Sequence, residues 1–149
     1  MKNPQTLAEK LYQQFPTLKL KVIKDYACCA FTLLWALGLD DIGDAEAILL
    51  VGYMIDAKAL DVDCTVYWAK AAEYLTGQKL TVEFKDIKDA KEIKQIKERT
   101  PVKYAYNGKA HWVGIENGKV KFNALEKSLC VEKGKPVTAR ILHINGGKK

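Results

Sequence analysis

Between Cys28 and Leu37 the chain carries one polar residue, Thr32; the rest is Cys, Ala, Phe, Leu and Trp. Asp25 stands ready to cap this run and Gly38 to end it, which predicts a helix from about Ala27 to Leu37. A helix with no polar face has no side to give to water, so it must be wrapped by other elements. The fold is therefore expected to centre on it.

The remaining elements are predicted from periodicity and turn chemistry. Asn3-Pro4 reads as an N-cap followed by proline at the first helical position, and Leu7, Leu11 and Phe15 recur at helical spacing until Pro16. Leu18, Leu20 and Val22 alternate with Lys19 and Lys21, the pattern of a short exposed extended segment. Helices are expected from about Ala45 to Met54 and from Thr65 to Leu75, the latter ending at Gly77. Lys79 to Phe84 reads as a strand. Lys88 to Glu98 reads as a charged surface helix with Ile87, Ile93 and Ile96 as its apolar stripe.

The last third changes character. Asn107-Gly108 and Asn117-Gly118 supply the positive φ angles of type I′ turns, so Val102 to Ala124 is expected to form two successive hairpins, with a closing strand from Val137 to Ile144. Helices followed by an antiparallel meander define a single α+β domain over residues 1–149.

Bulk chemistry narrows the function classes. Of 24 basic residues only Arg99 and Arg140 are arginine, and the lysines, including the Lys148-Lys149 tail, are interleaved with acids. The net charge of +6 is thus read as lysine solvation of the surface, which makes a nucleic-acid partner unlikely. No apolar run reaches the roughly 20 residues that cross a bilayer, and the first residues lack a secretory apolar stretch, so a cytoplasmic location with no membrane partner is expected. Four cysteines without C-x-x-C spacing are read as free thiols. Adjacent cysteines suit a tetrahedral zinc site poorly; no metal and no cofactor are implied.

Cys28, at a helix start, gains thiolate stabilisation from the dipole and from unpaired N–H groups. His111, on the strand Ala110 to Ile115, can take its proton. His143 is the only other histidine, and Asn123 on the following strand can orient the His111 ring. Cys29, Cys64 and Cys130 are read as packing residues, Trp35 and Trp68 as core, and Trp112 as a candidate wall of a substrate cleft.

With these residues in order, the chain resembles the papain-like cysteine hydrolase superfamily. Asp25-Tyr26-Ala27-Cys28 before a buried helix is similar to the bacteriocin-leader-type peptidases, and to small hydrolases encoded by phages and spirochaetes. Asp61-Val62-Asp63-Cys64-Thr65-Val66 resembles a linker phrase of those relatives, and His111-Trp112-Val113-Gly114-Ile115 with Asn123 resembles the cell-wall amidase branch. The resemblance implies a papain-like fold and a thiol hydrolase cleaving an amide bond in a peptide or peptidoglycan-like substrate, with Cys28 as nucleophile, His111 as base and Asn123 as orienting residue.

Departures accompany the match. Ala27 stands where a glycine is common, and Val22 stands where those peptidases carry an oxyanion-binding glutamine. The alternative expectation is a catalytically impaired papain-like binding protein, phage-associated in its relatives. Geometry sets a further condition. A clean two-residue turn at Asn117-Gly118 would pair His111 with Ala124 and turn Asn123 away, whereas a bulge at Gly118 would bring Asn123 to His111.

Overall fold

The computed structural model describes residues 1–144; the Lys148-Lys149 tail lies outside the described residues. Its architecture is mixed α+β, helices first and then a five-stranded antiparallel sheet. The helices are α1 (Pro4–Gln14), α2 (Leu18–Tyr26), α3 (Cys28–Ala36), α4 (Asp44–Asp56), α5 (Trp68–Thr76) and the short α6 (Leu129–Lys133). The strands are β1 (Leu80–Asp86), β2 (Thr100–Tyr106), β3 (Lys109–Glu116), β4 (Lys119–Phe122) and β5 (Lys135–Ile144).

The apolar run is the central helix expected of it. On α3, Ala30, Phe31, Leu33 and Leu34 are fully buried, together with Ile23, Val51, Met54 and Ala72 from the surrounding helices. Thr32 is tolerated there because its hydroxyl donates to the Cys28 carbonyl at 2.7 Å. Gly38 and Gly77 take positive φ just past the ends of α3 and α5.

Four sequence readings are corrected. Leu18 to Val22 is helical, not extended: Thr17 caps α2 by accepting from Leu20 N–H, and Ile23 is buried one turn later. Asp25 therefore lies in the last turn of α2, bound to Lys21 and Lys24, and does not cap α3. Residues 88 to 98 hold only one short 3₁₀ segment, Ala90–Gln95, with Ile93 buried. Asn3 makes no side-chain cap on α1; its amide reaches the Asn123 carbonyl at 2.9 Å, while Ala124 O accepts from the Gln5 and Thr6 N–H groups.

Both Asn-Gly pairs adopt positive φ at each central residue, as type I′ hairpins require. β2, β3 and β4 form the expected meander. The closing strand does not extend it: β5 returns between β1 and β2, giving the order β1-β5-β2-β3-β4. The sheet has two differently packed faces. Trp112 and Gly114 of β3 face the helices, and Gly114 lies so close to Trp35 that no Cβ fits between them. Val102, Val113, Ile115 and Ala139 face away from α3, into a second core with Ile93 and Cys130.

Candidate functional site

Cys28 is the first residue of α3, and Ala27 before it offers no capping side chain to the first backbone N–H groups. Its thiol is half-buried and lines a hollow of about 390 Å³ with Cys64, Trp68, Lys103, Ala110 and Trp112. The Asp61 to Val66 phrase closes one side of it: Leu60 and Val66 bridge, and the Cys64 carbonyl accepts from the Cys29 thiol at 3.6 Å. Cys29 thus points toward that loop. Burial raises the Cys28 thiol pKa, and the N–H groups of Trp112, Cys29 and Cys28 itself offset only part of that. Cys29 is also raised by burial, and Cys64 is pushed up to about 12, burial leading again. All three rest as neutral thiols at neutral pH.

His111 is only 4% exposed and its Nε2 lies 2.7 Å from Asn123 Oδ1. That oxygen also accepts from the Leu125 N–H at 3.0 Å, so it cannot be a donor, and the shared bond requires a proton on Nε2. Nδ1 is then a bare lone pair, the form a base needs. Burial lowers the His111 pKa and the Asn123 bond offsets part of that, so the ring is neutral at pH 7.

How Asn123 reaches His111 corrects the geometric condition. Glu116 pairs with Lys119 and Ile115 with Val120, so the Asn117-Gly118 turn is the clean two-residue one. The register then slips: Gly114 pairs with Phe122, leaving Lys121 as the extra residue. This bulge sits in β4 and not at Gly118. It reverses the facing of everything after it, putting Phe122 against Trp35 and Asn123 on the His111 side.

Cys28 and His111 are not joined at rest. Among the described residues no hydrogen bond links the Cys28 thiol to the His111 ring. β3 pairs with β2 without irregularity, Tyr104 opposite His111, so alternation sends the ring to the side of Val113 and Ile115 while α3 packs over Trp112 and Gly114. The thiol's neighbour on β3 is the backbone at Trp112, one residue from His111.

The other candidates separate cleanly. Trp112 is half-buried in the wall of the Cys28 hollow, tilted against Trp68 with ring centroids 4.9 Å apart. Val22 lies on α2 and has no polar group to offer an oxyanion. His143 is exposed and sits 3.2 Å from Glu83. Cys130 packs in the second core. Among the described residues no group of His, Cys, Asp or Glu could hold a metal, and no helix is long and apolar enough to cross a membrane. A larger hollow, about 650 Å³ beside Leu39, Leu50 and Tyr74, is lined by neither thiol nor imidazole. Two residues near the site were not anticipated, Lys103 and Arg140; both alternate with apolar positions on strands, which reads as ordinary surface charge. Comparison with known proteins gave no match to any family model, curated protein or solved structure.

Proposed function

We propose that the chain is a papain-like thiol hydrolase that cleaves an amide bond of a peptide or peptidoglycan-like substrate, with Cys28 as nucleophile. The observation that carries this reading is the Nε2–H tautomer of His111, fixed by Asn123 in the residue next to the peptide that covers the Cys28 thiol. A bare Nδ1 can accept the thiol proton as sulfur attacks the carbonyl carbon. The same proton then passes to the leaving amine, and water releases the acyl group from sulfur. The N–H of Cys28 at the helix start is the available oxyanion donor. Because both partners rest neutral and unbonded, the reaction needs the ring to turn toward sulfur as substrate enters. His111 is the third residue of β3 and is buried, so this turn requires the start of the strand to move with the ring.

A second reading draws on Val22 and on the facing of His111: a papain-like scaffold without efficient chemistry that binds its partner in the same hollow. Alkylation separates the two. On the hydrolase reading, iodoacetamide labels Cys28 faster than Cys64 and Cys130 near pH 8, and His111→Ala lowers the Cys28 rate alone by about tenfold. Equal rates in both proteins would leave only the binding scaffold.

A further inference from the structure

Two arginines in this protein stack on aromatic rings, and they are built differently. Arg99 lies 4.7 Å from the Trp35 ring and is neutralised by Asp40 at 2.7 Å and Glu116 at 3.7 Å. Arg140 lies 3.8 Å from the Phe84 ring, 5.1 Å from Trp112 and 5.9 Å from Trp68, yet forms no salt bridge among the described residues. Its Nη1 donates to Thr138 Oγ1 and to the Ala139 carbonyl, while its buried Nε has no partner. Asp86 acts on it only through space. Arg140 is half-buried, and its buried Nε keeps a donor that the cation–π contacts leave unfilled and an anion can complete.

Its position suggests the anion. Lys103 pairs with Thr138 across β2 and β5, so Lys103 and Arg140 share the sheet face of Trp112. Lys103 and Trp112 line the Cys28 hollow, and Lys103 likewise has no salt bridge among the described residues. Asp25 and Asp63 line the same hollow. A polyanion filling the hollow would be repelled by those carboxylates, whereas a single carboxylate can be held by the two cations alone.

Resting on the hydrolase reading for the identity of the nucleophile, we propose that Arg140, assisted by Lys103, anchors a carboxylate of the substrate beside Cys28. The amide cleaved then belongs to a peptide-like molecule with an acidic group close to the scissile bond. Arg140 acts here as a specificity residue and takes no part in proton transfer.

Iodoacetate and iodoacetamide alkylate thiols by the same displacement and differ in one negative charge, so their rate ratio at Cys28 reads the anchor without requiring hydrolysis. In the full chain the iodoacetate-to-iodoacetamide ratio at Cys28 is expected to exceed that at the same cysteine in the urea-unfolded chain. It should fall roughly three- to tenfold in Arg140→Gln, be largely kept in Arg140→Lys, and decline with added salt. If Arg140→Gln does not fold, Lys103→Met and the salt titration of the wild type carry the test. A ratio equal to that of the unfolded chain, one indifferent to both substitutions and to salt, or no labelling of Cys28 by either reagent overturns the anchor. Failure of the hydrolase reading shows elsewhere, as a Cys28 rate indifferent to His111→Ala.

Discussion

An asparagine oxygen that accepts from a backbone N–H has no freedom in what it offers an imidazole. Leu125 N–H holds Asn123 Oδ1 as an acceptor, and Asn123 in turn decides which nitrogen of His111 carries the proton. Asn123→Asp keeps both acceptor bonds and adds a negative charge against a buried ring, so the His111 pKa should rise from its lowered position. Asn123→Ala removes the acceptor and leaves Nε2 unsatisfied, and should destabilise the fold by about 1–3 kcal/mol. NMR titration of the imidazole protons and urea unfolding check these. An unmoved His111 titration in Asn123→Asp would show that the 2.7 Å contact does not govern the ring. Cys28, His111 and Asn123 were legible as candidates because thiol, imidazole and amide stand out in a chain with two histidines. Their mutual facing was not legible, since that depends on one unpaired residue, Lys121, whose type carries no bulge signal.

At the scale of elements, the contact between α3 and β3 is what holds Cys28 against the Trp112 backbone. It depends on Gly114, where an added Cβ would sit 2.4 Å from the Trp35 ring. Trp35 is confined between Phe122, stacked at 6.2 Å, and the Arg99 guanidinium, so it has little room to give. Gly114→Ala should therefore destabilise by about 1–3 kcal/mol or separate the helix from the strand, lowering the urea midpoint and changing Trp fluorescence. A variant as stable as the parent would mean that Trp35 can repack. Elements were readable wherever a local cause sets them: the polar-poor run of α3, the glycines after α3 and α5, and the two Asn-Gly turns. Where tertiary burial decides, local reading failed. The lysine alternation of α2 suits a strand as well as a helix, until Ile23 and the neighbouring helices bury one side of it. Likewise the Lys88 to Glu98 pattern continues past the short 3₁₀ segment that Ile93 anchors. The insertion of β5 between β1 and β2 is a long-range pairing with no local signature at all.

For the molecule as a whole, the buried titratable groups set a pH window for stability. His111 has a folded pKa below its ordinary value of 6.5, so between those two values the unfolded chain binds a proton that the folded chain refuses. Its contribution is present above pH 6.5 and is lost as pH falls toward the folded value. The thiols act in the opposite sense. Cys28, Cys29 and Cys64 are raised above 9.0, so from pH 9 upward the unfolded chain releases protons that the folded chain keeps, and stability falls as pH rises. The melting temperature should accordingly be flat between about pH 6.5 and 9 and decline on both sides. Two substitutions separate the limbs. His111→Gln should flatten the acid limb near pH 6 and leave the alkaline one, whereas Cys29→Ala should soften the alkaline limb and leave the acid one. Melting curves across pH 5 to 10 measure both. An acid limb that persists unchanged in His111→Gln would assign it to other groups and would remove the buried neutral imidazole on which the proposed proton transfer depends.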